Sequence, residues 1–199
     1  MLVAQTASPR AGAVARTQAR QALTAAVVSA LQAGLDAPAI LSSVQAALDE
    51  TAALLDRART AGIPVIHIQH DSGPGSPYDI RADIGAIVDQ VAPRGDEPVI
   101  VKQFPNSFVQ TDLDERLKAL GASNLVLAGF MTHMCVNSTA RGAFSLGYAP
   151  TVVAAATATR TLAGPDGQAV PAAALQAASL AGLADLVAVV APNAAAIPD

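Results

Sequence analysis

Two rhythms of hydrophobic positions alternate along this chain. One consists of short, unbroken apolar runs: ALTAAVVSAL (Ala22–Leu31), PVIHIQH (Pro64–His70), PVIVKQF (Pro98–Phe104), NLVLAGF (Asn124–Phe130), PTVVAAA (Pro150–Ala156) and DLVAVV (Asp185–Val190). They are of strand length, rich in Val, Ile or Leu, and continuous rather than alternating, which predicts strands buried on both faces. The other rhythm has helical spacing. In Ser43–Ala61 the apolar positions Val44, Ala47, Leu48, Leu54, Leu55 and Ala58 define one face of an amphipathic helix. Asp112–Leu120, Cys135–Leu146 and Pro171–Leu183 read as further helices. Gly62, Gly121 and Gly147 follow three of the four, where a helix C-terminus is commonly closed. DSGPGSP (Asp71–Pro77) is a loop signal, and Tyr78–Pro98 reads as loop with short helix.

Strands alternating with helices predict an α/β fold: a three-layer α/β/α, Rossmann-like domain with a central parallel sheet of about six strands covered on both faces. No internal repeat or linker divides it, so a single domain is expected over 23–199. In such sheets ligands bind at the carboxyl ends of the strands. Residues 1–22 stand apart. They carry Arg10, Arg16 and Arg20 and no acid, the first carboxylate being Asp36. This segment reads as an N-terminal arm, flexible or packed on a partner subunit, although its composition also resembles an organellar transit peptide.

Composition narrows the function classes. Aromatic residues are only 3% of the 199, so Ala and Val build the core. A net charge of −4 offers no basic stripe for a phosphate backbone, which argues against nucleic-acid binding. The absence of any run of about eighteen apolar residues argues against a transmembrane helix. One cysteine cannot make an internal disulfide and no Cys/His cluster has zinc spacing, which points to a reducing cytoplasm and to no metal or cofactor. A sparsely charged surface of small residues hints at a homo-oligomer, a dimer or larger.

That one cysteine, Cys135, falls where the NLVLAGF strand gives way to a helix. It reads either as a small buried hydrophobe or as a nucleophile. A helix's first turn presents unpaired amides and the positive end of the macrodipole, both of which favour a thiolate.

The surrounding sequence separates the two. GFMTHMCVNSTARGAFSLGY resembles the nucleophile segment of the isochorismatase-like cysteine hydrolases, among them nicotinamidases, N-carbamoylsarcosine amidases and streptothricin-hydrolase-like enzymes. The matching positions are Gly129, Thr132, Cys135, Val136, Thr139, Ala140, Arg141 and Ala143. The likeness extends through AGIPVIHIQH, VKQFPNSF, TATRTL and LQAASLAGLADL, from about Ala22 to Val190. It implies an Asp-Lys-Cys triad with Cys135 as nucleophile and Lys102 beside it, since a buried ammonium favours the thiolate. It also implies an oxyanion hole made by the amides of Met131 and Cys135, and a cis peptide between Phe130 and Met131. The aspartate is missing: with the family's glutamine aligned on Gln32, its position is held by Ala30. His70, ending the PVIHIQH strand, is the first candidate to serve in its place or to touch substrate. His133 is expected to point elsewhere and His67 to be a core histidine. Where nicotinamidases carry a metal-binding Asp-x-His segment, this chain reads HIQHDSGPGSP, so no metal is expected. Phe104, Phe108 and Phe130 are candidate pocket walls, with core packing as the equal alternative.

The activity implied by this resemblance is hydrolysis of a small amide-type C–N bond through a Cys135 thioester, impaired by the missing aspartate. The alternatives are a vinyl-ether hydrolase of the isochorismatase type, whose chemistry needs the aspartate rather than the cysteine, or a non-catalytic binding or assembly member.

Overall fold

The computed structural model describes residues 2–5, 12–17 and 37–197. The strands are β1 (Leu2–Gln5), β2 (Gly12–Thr17), β3 (Val65–His70), β4 (Val99–Lys102), β5 (Asn124–Phe130), β6 (Ala149–Ala158), β7 (Leu162–Ala163), β8 (Ala169–Val170) and β9 (Val189–Ala191). The helices are α1 (Ala37–Thr60), α2 (Leu113–Ala119), α3 (Asn137–Ser145) and α4 (Ala172–Ala184). Seven strands form one sheet in the order β4-β3-β2-β1-β5-β6-β9, with β2 also paired to β5. All pairings in it are parallel except those of β1, which runs antiparallel to β2 and β5.

Strand β5 shows how the sequence builds the layers. Side chains alternate across a strand, and here Leu125 and Leu127 enter one core while Val126, Ala128 and Phe130 enter the other. The first core adds Ile66, Ile68 and Ile100 from the sheet and Leu113, Leu117, Val136, Ala140 and Leu183 from the α2, α3 and α4 side. The second is closed by α1 through Val44, Leu48, Leu54, Leu55 and Ala58, the stripe read from the sequence. The three-layer α/β reading therefore holds. Among the described residues no helix is long and apolar enough to cross a membrane.

The structure departs from the sequence reading in places. Helix α1 begins at Ala37, earlier than Ser43; Pro38 is tolerated in its first turn, whose amides have no helical partner anyway. Gly62 closes it as expected, with φ 66° and the Ile63 amide donating to the Ala58 carbonyl at 2.8 Å. The helix expected to start at Cys135 starts at Asn137, and Thr132–Val136 is a π-helical turn. Strands β7 and β8 pair as a small separate hairpin that the sequence pattern did not reveal. Within the segment read as an arm, β1 and β2 are strands of the main sheet. The expected first strand Ala22–Leu31, with Ala30 and Gln32, lies outside the described residues.

Candidate active site

Parallel register brings the site together before any side chain acts. In the β3–β4 pair His70 stands opposite Lys102, the last residue of each strand. Further along the sheet, β5 ends at Phe130, and the turn Thr132–Val136 carries Cys135 over the same edge. The peptide between Phe130 and Met131 is cis, as the resemblance implied. The Met131 carbonyl accepts the amides of Met134 at 3.0 Å and Val136 at 3.3 Å, which widens the turn around the intervening Cys135 amide.

Lys102 is the pivot. Its side chain is 1% exposed, and its Nζ lies 3.3 Å from Cys135 Sγ, 2.9 Å from the Phe104 carbonyl and 3.1 Å from His70 Nδ1. Burial pushes its pKa down, and the charge and hydrogen bond of Cys135 oppose that shift. His70 is half-buried, with Nε2 2.9 Å from Ser72 Oγ and its ring edge-on to Tyr78 at 5.3 Å. Burial and the neighbouring Lys102 charge, partly offset by Asp71, hold His70 down to about 4, so the ring is neutral at neutral pH. Asp71 turns away from the cysteine into a two-point contact with Arg81, at 2.9 and 3.1 Å.

The FPNSF segment after β4 is fastened to α3, the helix that follows Cys135. Ser107 donates its amide to Thr139 Oγ1 at 3.1 Å, and the two hydroxyls lie 2.9 Å apart. This anchoring holds the Phe104 carbonyl over Lys102. The Phe104 ring is 40% exposed and free to serve as a wall. Phe130 is in the α1-side core and Met131 packs against it. Phe108 stacks on Tyr148 at 5.9 Å and lines a different cavity, of ≈ 690 Å³, beside Asn106, Arg141 and Gly142.

Two groups not singled out from the sequence, Tyr78 and Arg160, belong to this edge. Tyr78 is raised by burial and by the charge of Cys135, with Arg160 opposing. His133 bonds Thr159 Oγ1 through Nδ1, and its pKa is lowered by burial and by Arg160. Arg160 Nε is buried and, among the described residues, unpartnered. The signal for Arg160 was available in TATR, which runs off the carboxyl end of β6 towards this edge. Tyr78 had no signal beyond its place in a loop. His67 is a core histidine as expected, 0% exposed with Nε2 2.7 Å from Glu97. Among the described residues no group of three or more His, Cys, Asp or Glu is placed to hold a metal.

A buried lysine thus stands against Cys135 at the carboxyl edge of a helix-covered, mostly parallel α/β sheet. The chain belongs to the isochorismatase family: the isochorismatase domain model matches residues 24–194. The streptothricin hydrolase of Streptomyces noursei is 38% identical over 152 residues, 75% of this chain and 55% of the relative. The ureidoacrylate amidohydrolase of Rhizobium rhizogenes is 32% identical over 123 residues, 47% of this chain and 50% of the relative. The crystal structure of an isochorismatase from Pseudomonas putida KT2440 superposes with a TM-score of 0.79 at 35% identity, covering 97% of this chain and 93% of that one.

Proposed function

We propose that this chain is a cysteine amidohydrolase that cleaves a small amide-type C–N bond. The observation that carries the reading is the 3.3 Å contact between the buried Lys102 ammonium and Cys135 Sγ. Amide hydrolysis needs an activated sulfur, and an adjacent cation favours the thiolate. The relatives named streptothricin hydrolase and ureidoacrylate amidohydrolase lend support from the same family.

In this mechanism Sγ adds to the amide carbonyl, and the oxyanion meets the backbone amides of Met131 and Cys135. The C–N bond then breaks, the amine or ammonia departs, and water hydrolyses the thioester to a carboxylic acid and the free thiol. A substrate that carries a carboxylate would find a counter-charge in Arg160. The thiol proton must reach the departing nitrogen. In the family an aspartate carries it, and the matched position here is Ala30. General acid–base catalysis contributes about 10²–10⁴-fold, so turnover is expected to be slow by roughly that factor. His70 is a poor replacement, because the lone pair that would take a proton already faces Lys102.

The vinyl-ether alternative loses ground on the same residues, since the cysteine is kept and the aspartate is not. The test is to compare this chain with Ala30→Asp over a panel of small amides, including carbamoyl and ureido acids. A gain of about 100-fold or more in the variant, abolished by Cys135→Ser, is the expected outcome. No hydrolysis by either protein would leave the non-catalytic reading standing.

A further inference from the structure

We propose that His70 is a positioning residue for Lys102: by accepting one Nζ proton on Nδ1, it turns another onto Cys135 Sγ. The inference rests on the amidohydrolase reading of Cys135, and it gives His70 a role different from the base or substrate contact expected from the sequence.

The argument begins with proton counting. An ammonium has three N–H donors and no acceptor. Among the described residues Nζ faces three acceptors: His70 Nδ1 at 3.1 Å, the Phe104 carbonyl at 2.9 Å and Cys135 Sγ at 3.3 Å. The lysine stem has four flexible carbons and little directional preference of its own. At 1% exposure, solvent does not share the job, so the acceptors decide where the protons point. Removing one acceptor leaves a buried donor unpaired and frees the head group to rotate away from the sulfur.

The imidazole is built to stay an acceptor. Neutral histidine has one donor nitrogen and one acceptor nitrogen, and the partner of one fixes the role of the other. Ser72 Oγ, 2.9 Å from Nε2, can accept from an Nε2–H, which leaves Nδ1 with its lone pair towards Lys102. Tyr78 sets the ring plane edge-on, 85° to its own. The backbone places the pair independently, because His70 and Lys102 are register partners and the Asp71 amide donates to the Lys102 carbonyl at 2.9 Å. Among the described residues, the charged and titratable groups acting on the ring are Lys102 on β4 and Asp71 on the loop after β3, with Tyr78 of the same loop edge-on to it. Their balance with burial keeps His70 unprotonated at neutral pH.

Two measurements on the intact chain test this. Cys135 is the sole cysteine, so iodoacetamide labelling at pH 7 reads this site alone. His70→Leu keeps bulk but offers no acceptor, and is expected to label about tenfold more slowly than wild type. His70→Asn puts an amide oxygen near the place of Nδ1 and is expected to recover to within about threefold. Equal rates in all three proteins, or equal losses in both variants, would overturn the proposal. Long-range ¹H–¹⁵N spectra of the wild type read the ring directly. The Nε2–H tautomer at pH 7 is expected, whereas an Nδ1–H tautomer or an imidazolium would overturn the proposal even if His70→Leu does not fold. Wild-type labelling no faster than that of a free peptide thiol would instead sink the amidohydrolase reading, and the tautomer would still decide the contact.

Discussion

Among the described residues Lys102 is the largest of the fully buried side chains, and its burial works against its own charge. Removing one member of a buried charged contact leaves its partners unpaired and typically costs about 3–5 kcal/mol. Lys102→Met strips the donor from His70 Nδ1, the Phe104 carbonyl and Cys135 Sγ, so it is expected to slow Cys135 labelling by at least about tenfold and to lower the Tm; a Tm equal to or above that of wild type would contradict it. His70 has the opposite sensitivity, to acid. Its folded-state pKa of about 4 lies below the ordinary 6.5. As pH falls between those values the unfolded chain binds a proton that the native ring refuses, so stability declines across that window. Urea titrations from pH 7 to 4 are expected to show a steeper loss for wild type than for His70→Asn. Of this residue-scale chemistry, Cys135 and Lys102 were legible in the sequence, because both end or follow apolar runs within a known pattern. The service of His70 to Lys102 was not, because only strand register sets them side by side.

The elements are tied together by polar clamps that hydrophobic periodicity does not reveal. Glu97, just before β4, takes Arg59 of α1 in two bonds of 2.7 and 2.8 Å, His67 of β3 at 2.7 Å and the Arg94 amide at 2.9 Å. Burial opposes its charge, yet these donors hold it down to about 2 from an ordinary 4.5. A depressed carboxylate stabilises the fold above the higher value, and that contribution is lost as pH falls through the lower one. Glu97→Gln is expected to cost on the order of 2 kcal/mol at pH 7 once solvent screening is allowed for. In melts run at decreasing pH, the gap to wild type should begin to shrink near 4.5 and close towards 2. The second clamp, Ser107 on Thr139, joins the Phe104 loop to α3. Thr139→Val keeps the shape and removes the oxygen, so a loss of about 1–3 kcal/mol is expected, together with faster amide exchange over FPNSF. Among the elements themselves, β5 was read residue for residue, since its side chains alternate between two cores. The two-residue strands β7 and β8 were missed because nothing so short carries a period.

For the whole molecule, a net charge of −4 and an isoelectric point near 5.2 predict weakest solubility just above pH 5. Light scattering against pH is expected to peak there, inside the window where His70 also begins to destabilise the fold. The family match begins at residue 24, within the Ala22–Leu31 run, whereas Gly12–Thr17 is the strand beside both β3 and β5. By itself the sequence determined the alternation of strand and helix, the helix ends at glycine, the cysteine at a strand's carboxyl end and the family, because each is written in local spacing. Tertiary structure alone decided which aromatic rings were spent on the core, leaving Phe104 as the candidate wall. It also brought Tyr78 to the Cys135 edge and gave the buried lysine its three acceptors. Those outcomes depend on register between strands distant in sequence, and register is a property of the packed sheet rather than of any one segment.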